Sequence, residues 1–482
     1  METDLANNLT RKSITMKIKT SHIVSTIALA GLMQSCKVTE TYQKPSVKAD
    51  WDKSLFRKQT NADSLSMAKV AWNQIFADDK LQSVIKKTIE NNYDLKIAVT
   101  RINEADAVFK QSQLNNLPTL DGIASIKDTK NSAAAQGSNF RMPDIMNFQL
   151  GVSAGWEVDI WGKMAAMKRS AYAGFLQTEA ARRAVQTQLV AQAASLYYQL
   201  LSLDKQLAIT KQTVDLRTKN VEAVQLLMDA AYLTGADVEQ SKANLYSAQL
   251  MIPDLEIQIQ QTENALNLLM GEAPKDIERN SIDSQVVSSD FRTGLPASLL
   301  QNRPDVLSAE MAFRQAFENK NVALAQVYPS LNITAALGLS SKNIKDFFKE
   351  SLFYTVGGTL TQNIFQQGNR KAQVKITEAR KEQAYLNFEK TLLTAGAEVS
   401  DALVTYEKAK SKETTRQLQI ESLQKTVDFS NELLTYSSKV NYVNVLTAEQ
   451  ALLQAQLSAV NDKLQQLQAM TEFYRALGGG QF

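Results

Sequence analysis

The chain has 482 residues, 44% of them hydrophobic and 21% charged, with 53 basic against 50 acidic side chains. So even a balance leaves no electrostatic footprint for nucleic acid. The only histidine is His22 and the only cysteine is Cys36, so imidazole metal sites, Ser-His-Asp triads and Cys-His nucleophiles cannot be assembled from the remainder. No phosphate-loop or dinucleotide glycine motif is present. The expectation is a protein that is no enzyme, holds no metal and needs no cofactor; carboxylates alone are the one catalytic chemistry left open.

At the amino end Lys17 and Lys19 precede the apolar run Ile23–Met33, too short for a stable spanning helix and suited to a signal peptide over 1–35. The basic pair directly after Met16 makes Met16 a second candidate start. A lone cysteine closing such a run looks like a bacterial lipobox, which implies a covalent lipid on Cys36 as the only added group; an ordinary cleaved signal with an incidental cysteine is the alternative. Several acyl chains at about 0.8 kcal/mol per buried CH2 would give a lasting anchor in membrane lipid. Residues 36–71 are polar, contain Pro45 and are expected to form a tether, with order beginning at Trp72.

Four segments have strand character: Leu120–Lys127, Phe148–Val158, Leu331–Leu339 and Leu352–Leu360. In the second, Phe148, Leu150, Val152, Ala154, Trp156 and Val158 alternate with Gln149, Gly151, Ser153, Gly155 and Glu157, a period of two over a length that suits a membrane strand. The loops Asn131–Asp144 and Ser341–Glu350 join them in pairs and are expected to face the cell exterior. After Gly162 roughly 70 residues lack proline, and as a helix they would reach on the order of 100 Å. A second such pattern runs from Lys371 to Ser437. Leu200, Leu207, Val214 and Val221 recur every seven residues, and Phe388, Leu392, Ala395, Val399, Ala402 and Tyr406 alternate spacings of four and three, so both are expected to be coiled-coil seams. Shorter helices are expected over Asp237–Met270, kinked or divided at Pro253, and over Asn444–Leu477. Gly174 and Gly396 are expected to mark close packing.

The pattern repeats. Asp94, Pro118, Gly162 and Gly271 recur as Asp305, Pro329, Gly368 and Gly478 at an offset of roughly 210 residues, which is a duplicated half rather than a solenoid period. The expected organisation is a first repeat over 72–271, a linker over 272–294 and a second repeat over 295–482.

The ordered set Trp72-Asn73-Gln74-Ile75-Phe76, Asn91-Asn92-Tyr93-Asp94-Leu95, Trp156-Glu157-Val158-Asp159-Ile160-Trp161-Gly162-Lys163, Asn302-Arg303-Pro304-Asp305-Val306, Tyr328-Pro329-Ser330, Asn363-Ile364-Phe365-Gln366-Gln367-Gly368 and Ala476-Leu477-Gly478-Gly479-Gly480 resembles the TolC/OprM-like outer membrane efflux proteins. Tyr42-Gln43-Lys44-Pro45 after the cysteine is similar to their NodT-type lipoprotein branch. The resemblance implies a mainly α protein with a small β part. Long antiparallel coiled-coil helices would form a periplasmic tunnel, and four strands per protomer would complete a twelve-stranded outer membrane β-barrel in a homotrimer. It implies a passive duct at the outer membrane, lipid-anchored, receiving substrates from an inner-membrane resistance-nodulation-division (RND) pump through a periplasmic adaptor, the membrane fusion protein. An outer membrane duct for type I protein secretion, and a structural coiled-coil lipoprotein without a channel, are the alternatives; a soluble antiparallel sheet is the alternative for the strands alone.

The same resemblance places adaptor docking at the helical hairpin tips, about 232–238 and 438–446, through Leu233, Thr234, Gly235, Ala236, Val440, Asn441 and Tyr442. The bland reading of each tip is a tight turn between antiparallel helices. The candidates for the periplasmic entrance are Asp237, Asn444 and Thr447. Many relatives carry aspartates in the second tip; Asn444 and Thr447 cannot supply that charge, which predicts weak block by cations.

Overall fold

The computed structural model describes residues 38–45, 71–130, 132, 134, 145–286, 303–436 and 442–479. Cys36, Val440 and Asn441 lie outside the described residues, as does most of the loop Asn131–Asp144. The elements are α1 (Trp72–Ile75), α2 (Asp79–Asn91), α3 (Tyr93–Leu114), β1 (Thr119–Thr129), β2 (Ile145–Val158), α4 (Lys163–Asp229), α5 (Gly235–Leu269), α6 (Pro304–Ala325), β3 (Ser330–Ser341), β4 (Leu352–Thr361), α7 (Asn369–Tyr436) and α8 (Tyr442–Ala476). The protein is therefore mainly helical with one small sheet. It divides into a sheet unit, within Met1–Tyr42, Gln111–Arg169 and Phe317–Glu378, and a helical unit holding the rest.

In the sheet unit the four strands pair antiparallel in the order β1-β2-β3-β4. Gly151 faces Gly338 across β2 and β3. A Cβ added at Gly338 would lie 2.4 Å from the Leu150 carbonyl oxygen, and one at Gly151 would lie 2.6 Å from that of Leu337, so this close approach of two backbones demands glycine. Asp159 caps α4 by accepting from the Met164 and Ala165 amides at 3.0 and 2.9 Å, which starts a long helix directly below a strand. Order begins earlier than Trp72. Glu40 donates its amide to Asn321 Oδ1 at 2.9 Å, Asn321 Nδ2 returns a bond to the Glu40 carbonyl at 3.0 Å, and Lys320 pairs with the Glu40 carboxylate at 3.0 Å. This reciprocal amide clamp fastens part of the expected tether.

In the helical unit the same lock recurs in each repeat. Asn92, at the head of α3, donates Nδ2 to the Leu269 carbonyl at 2.9 Å, and Arg303, at the head of α6, donates Nη1 to the Ala476 carbonyl at 2.7 Å. Beside each lock a glycine ends the long-range helix in the left-handed region, Gly271 at φ 67° and Gly478 at φ 93°, where only glycine fits without strain. The second expected seam holds: Phe388, Leu392, Ala395, Val399, Ala402 and Tyr406 are all buried. The first is displaced. Of Leu200, Leu207, Val214 and Val221 only Leu200 is buried, and below it the buried heptad is Leu203, Thr210, Arg217 and Val224. Pro253 does not divide its helix: α5 runs unbroken from Gly235 to Leu269. Pro253 is exposed, so water can serve the carbonyl that loses its donor. At Gly174 a Cβ would meet Gln315 Nε2 at 2.6 Å, the close packing expected of it.

The glycine pair yields a stability test. Gly338→Ala should cost about 1–3 kcal/mol through overpacking, whereas Gly358→Ala, where an added Cβ meets nothing within 4 Å, should be near neutral. Denaturation midpoints in detergent micelles measure both.

Candidate functional site

Two features have functional geometry, one in each unit. The first is a face of the sheet. The register sets Leu120, Ala154, Ala335 and Val356 in one row, Val152, Leu337 and Tyr354 in the next, and Leu150, Leu339 and Leu352 beyond it. In the other direction Trp156, Ile333 and Gly358 form a row, followed by Val158, Leu331 and Leu360. Every large exposed apolar side chain of the strands lies on this face, among them Leu120, Ile126, Leu150, Leu352, Tyr354, Val356 and Leu360. The opposite face carries Gln149, Ser153, Glu157, Asn332, Thr334, Ser340, Thr355 and Thr359, with Ile123, Ile145 and Phe353 as its larger apolar members. Strands of 10 to 14 residues match the length that a tilted strand needs to cross a bilayer core.

Aromatic groups lie at the base of the sheet. The Trp161 ring stacks on Tyr328 with centroids 4.9 Å apart, and its Nε1 donates to the Pro329 carbonyl at 2.7 Å. Rings with an apolar body and a bonded polar tip suit a membrane interface. The same base holds a 580 Å³ polar cleft in which Lys163 pairs with Glu157 at 2.7 Å. Among the described residues β1 and β4 each pair on one side only, so the ribbon ends in two open edges.

The second feature is the meeting of the two helical hairpins near their tips. Val224, Val238, Tyr442, Val445 and Leu446 form a buried cluster, with Met228 and Leu233 packed against it. The Tyr442 hydroxyl donates to Ser241 Oγ at 2.9 Å, Arg217 Nη1 donates to the Asn244 carbonyl at 2.5 Å, and Asn220 Nδ2 donates to the Glu449 carboxylate. Burial raises the Glu449 carboxyl above its ordinary value, opposed by the Asn220 bond and the Arg217 charge. Burial likewise lowers the Arg217 guanidinium, opposed by Glu449.

Sequence reasoning missed Arg217, Asn220, Ser241 and Glu449. For Arg217 the signal available was its place seven residues after Thr210, which apolar counting passes over; Asn220, Ser241 and Glu449 carried no such signal. Of the expected docking residues, Thr234, Gly235 and Ala236 are exposed, Leu233 is half-buried and Tyr442 is buried at 2%. The Tyr442 ring thus belongs to the inside of the tip. Asp237 is already engaged: its Oδ2 accepts from the Thr234 amide at 2.8 Å and hydroxyl at 2.7 Å, a capping box. These bonds, the hydroxyl's first, hold its carboxyl below the ordinary value. Asn444 and Thr447 are exposed, and Thr447 Oγ1 donates to the Val443 carbonyl at 2.8 Å. Among the described residues no group of three or more His, Cys, Asp or Glu is arranged to hold a metal.

A family model described as outer membrane efflux protein matches residues 84–272 and 295–479. The chain belongs to the outer membrane efflux protein family. It is 28% identical to the solvent efflux pump outer membrane protein SrpC of Pseudomonas putida, over 96% of this chain and 99% of that protein. It is 26% identical to the cation efflux system protein CusC of Escherichia coli K12, over 94% and 98%. A crystal structure of CusC superposes with a TM-score of 0.80 at 25% identity, covering 92% of this chain and 100% of that one. The Campylobacter jejuni CmeC outer membrane channel shares the fold, with a TM-score of 0.81 at 23% identity over 92% and 95%. This outer membrane efflux protein is an outer membrane channel, and the members of its family are the outer membrane components of tripartite efflux systems. Among its described residues no helix is long and apolar enough to cross a membrane.

The tip chemistry predicts a pH effect. The folded tip holds the Glu449 proton more tightly than the unfolded chain, so this group's contribution to stability is present below the ordinary value of 4.5 and is lost as the pH rises through the raised one. Glu449→Gln should flatten the pH dependence of tip protection above pH 4.5. Hydrogen exchange in residues 235–249 and 442–449, corrected for intrinsic rates, checks it.

Proposed function

We propose that three copies join edge to edge, β4 of one to β1 of the next, into a twelve-stranded barrel. The barrel would be continuous with a periplasmic helical duct through which an inner-membrane RND pump and its adaptor discharge their substrates. The observation that carries this reading is the apolar face with two unpaired edges. A lone ribbon would leave backbone N–H and C=O groups unsatisfied in hydrocarbon at several kcal/mol each. Because four is even, β1 and β4 run in opposite directions, so each seam continues the antiparallel order.

Acyl chains on Cys36 anchor each protomer in the outer membrane. The adaptor docks on the exposed Thr234, Gly235 and Ala236 together with the second tip segment, including Val440 and Asn441, while Leu233 and Tyr442 support that surface from within. Asp237, Asn444 and Thr447 border the entrance. The chain carries no energy source and catalyses no reaction; the pump supplies both drive and choice of cargo. The efflux names of SrpC and CusC support efflux over type I protein secretion, and the one-sided sheet favours a channel over a lumenless coiled-coil lipoprotein.

Planar-bilayer recording tests the duct and its entrance together. Purified protein should give discrete single-channel currents that micromolar trivalent cations block only weakly, because Asp237 is engaged and Asn444 and Thr447 are neutral. Absence of current would contradict the duct, and strong micromolar block would contradict an entrance whose one carboxylate, Asp237, is engaged by Thr234.

A further inference from the structure

Two apolar features at the base of the sheet have no role in the account so far. Below β4 the turn into α7 presents Ile364 and Phe365 to solvent, 98% and 84% exposed. The turn that carries them is braced. Gln362 Nε2 and Arg370 Nη1 both donate to the Val327 carbonyl, at 3.1 and 3.2 Å, and Arg370 Nε donates to Gln366 Oε1 at 3.1 Å. Gln367 and Gly368 follow in the left-handed region at φ 53° and 80°. Two large apolar side chains fixed on a braced turn and left in water are strongly favoured to be buried against something.

Below β1, at the opposite edge of the sheet, lies a 700 Å³ cleft whose apolar lining is Leu114, Leu117, Pro118, Met164 and Met167. Leu114 and Leu117 are themselves exposed. Knob and cleft lie beyond the same end of the ribbon: Thr119 opens β1 opposite Gly155, in the row that continues through Thr334 to Gly357, and Thr361 closes β4 opposite Ser330. When β4 of one copy meets β1 of the next, the knob of the first is carried to the cleft of the second. The occupant follows from that continuity with the seam.

We propose that Ile364 and Phe365 of each protomer insert into the cleft around Leu117 and Met167 of its neighbour, a knob-into-groove contact at the base of every seam. The contact fixes the register in which β4 meets β1. Register needs fixing, because a slip of two residues keeps both the alternating hydrogen-bond pattern and the face to which each side chain points, so the ladder alone does not choose between such registers. Flexible thioethers on the receiving side tolerate the entry of an aromatic ring. The inference rests on the trimeric reading above.

Engineered disulfides test it in the full chain. F365C combined with L117C, oxidised in detergent, should give covalent dimers and trimers on denaturing non-reducing gels, with neither single variant doing so. Peptide mapping separates these bonds from any that involve Cys36. I364C with M167C is a second pair, so that one poorly folded variant does not decide the outcome. An amine-reactive cross-linker applied to the same samples reports the assembly independently. Trimers by amine cross-linking with no disulfide in either pair would overturn the knob contact and leave the trimer standing, as when lipid fills the cleft. F365C linking to itself would place the ring on another surface and overturn it too. No trimer by either route would overturn the trimeric reading and the contact with it.

Discussion

A hydrogen-bonded backbone has no tolerance for an open edge in hydrocarbon, and the sheet formed by the described residues has two open edges. Among the described residues β1 and β4 each leave one side of their ladders unpaired, on a ribbon whose large exposed apolar side chains gather on one face. Water would satisfy the edges but not the face, and lipid would satisfy the face but not the edges. Only further copies of the same ribbon meet both demands. The Gly151–Gly338 approach, the Trp161–Tyr328 stack and the Asp159 cap serve this arrangement by fixing how the strands lie and how α4 leaves them.

The helical unit obeys a different logic. Near the tips a buried polar seam joins the two hairpins through single hydrogen bonds, Tyr442 to Ser241 and Asn220 to Glu449. Arg217 lies buried beside them. Partly satisfied buried polar groups are poor stabilisers, but they make an interface with few alternatives and a modest cost of separation. Such an interface suits the entrance proposed here: a docking partner would have to supply only the difference in contact energy between two arrangements of the hairpins. Tyr442 sits inside this interface, so a partner at the tip would act on the turn surfaces and the buried ring would transmit the effect.

The strands and long helices were legible because alternation and proline-free length are strong local signals. Ser330–Ser341 and Leu352–Thr361 exceed their expected bounds by only a residue or two at most edges. The first seam was not legible, since Thr210 and Arg217 hold two of its four buried positions and a count of apolar residues selects the neighbouring row. A straight helix also drifts about 20° per heptad from a strict seven-residue period. Division at Pro253 did not occur for the converse reason, as an exposed proline can be absorbed where a buried one would break the helix. The repeat was visible in its aspartates, prolines and glycines, but the lock they surround uses Asn92 in one half and Arg303 in the other. Geometry was kept there while chemistry changed, so identity between the halves could not reveal it. The tip cluster needed the structure, because its partners lie more than 200 residues apart.

The mass of the assembled protein in a lipid bilayer bears most directly on the claim that one copy cannot close its own sheet. Native mass spectrometry of the protein released from lipid nanodiscs should give three chains per particle. A single chain, stably inserted and retaining its four strands, would contradict the account.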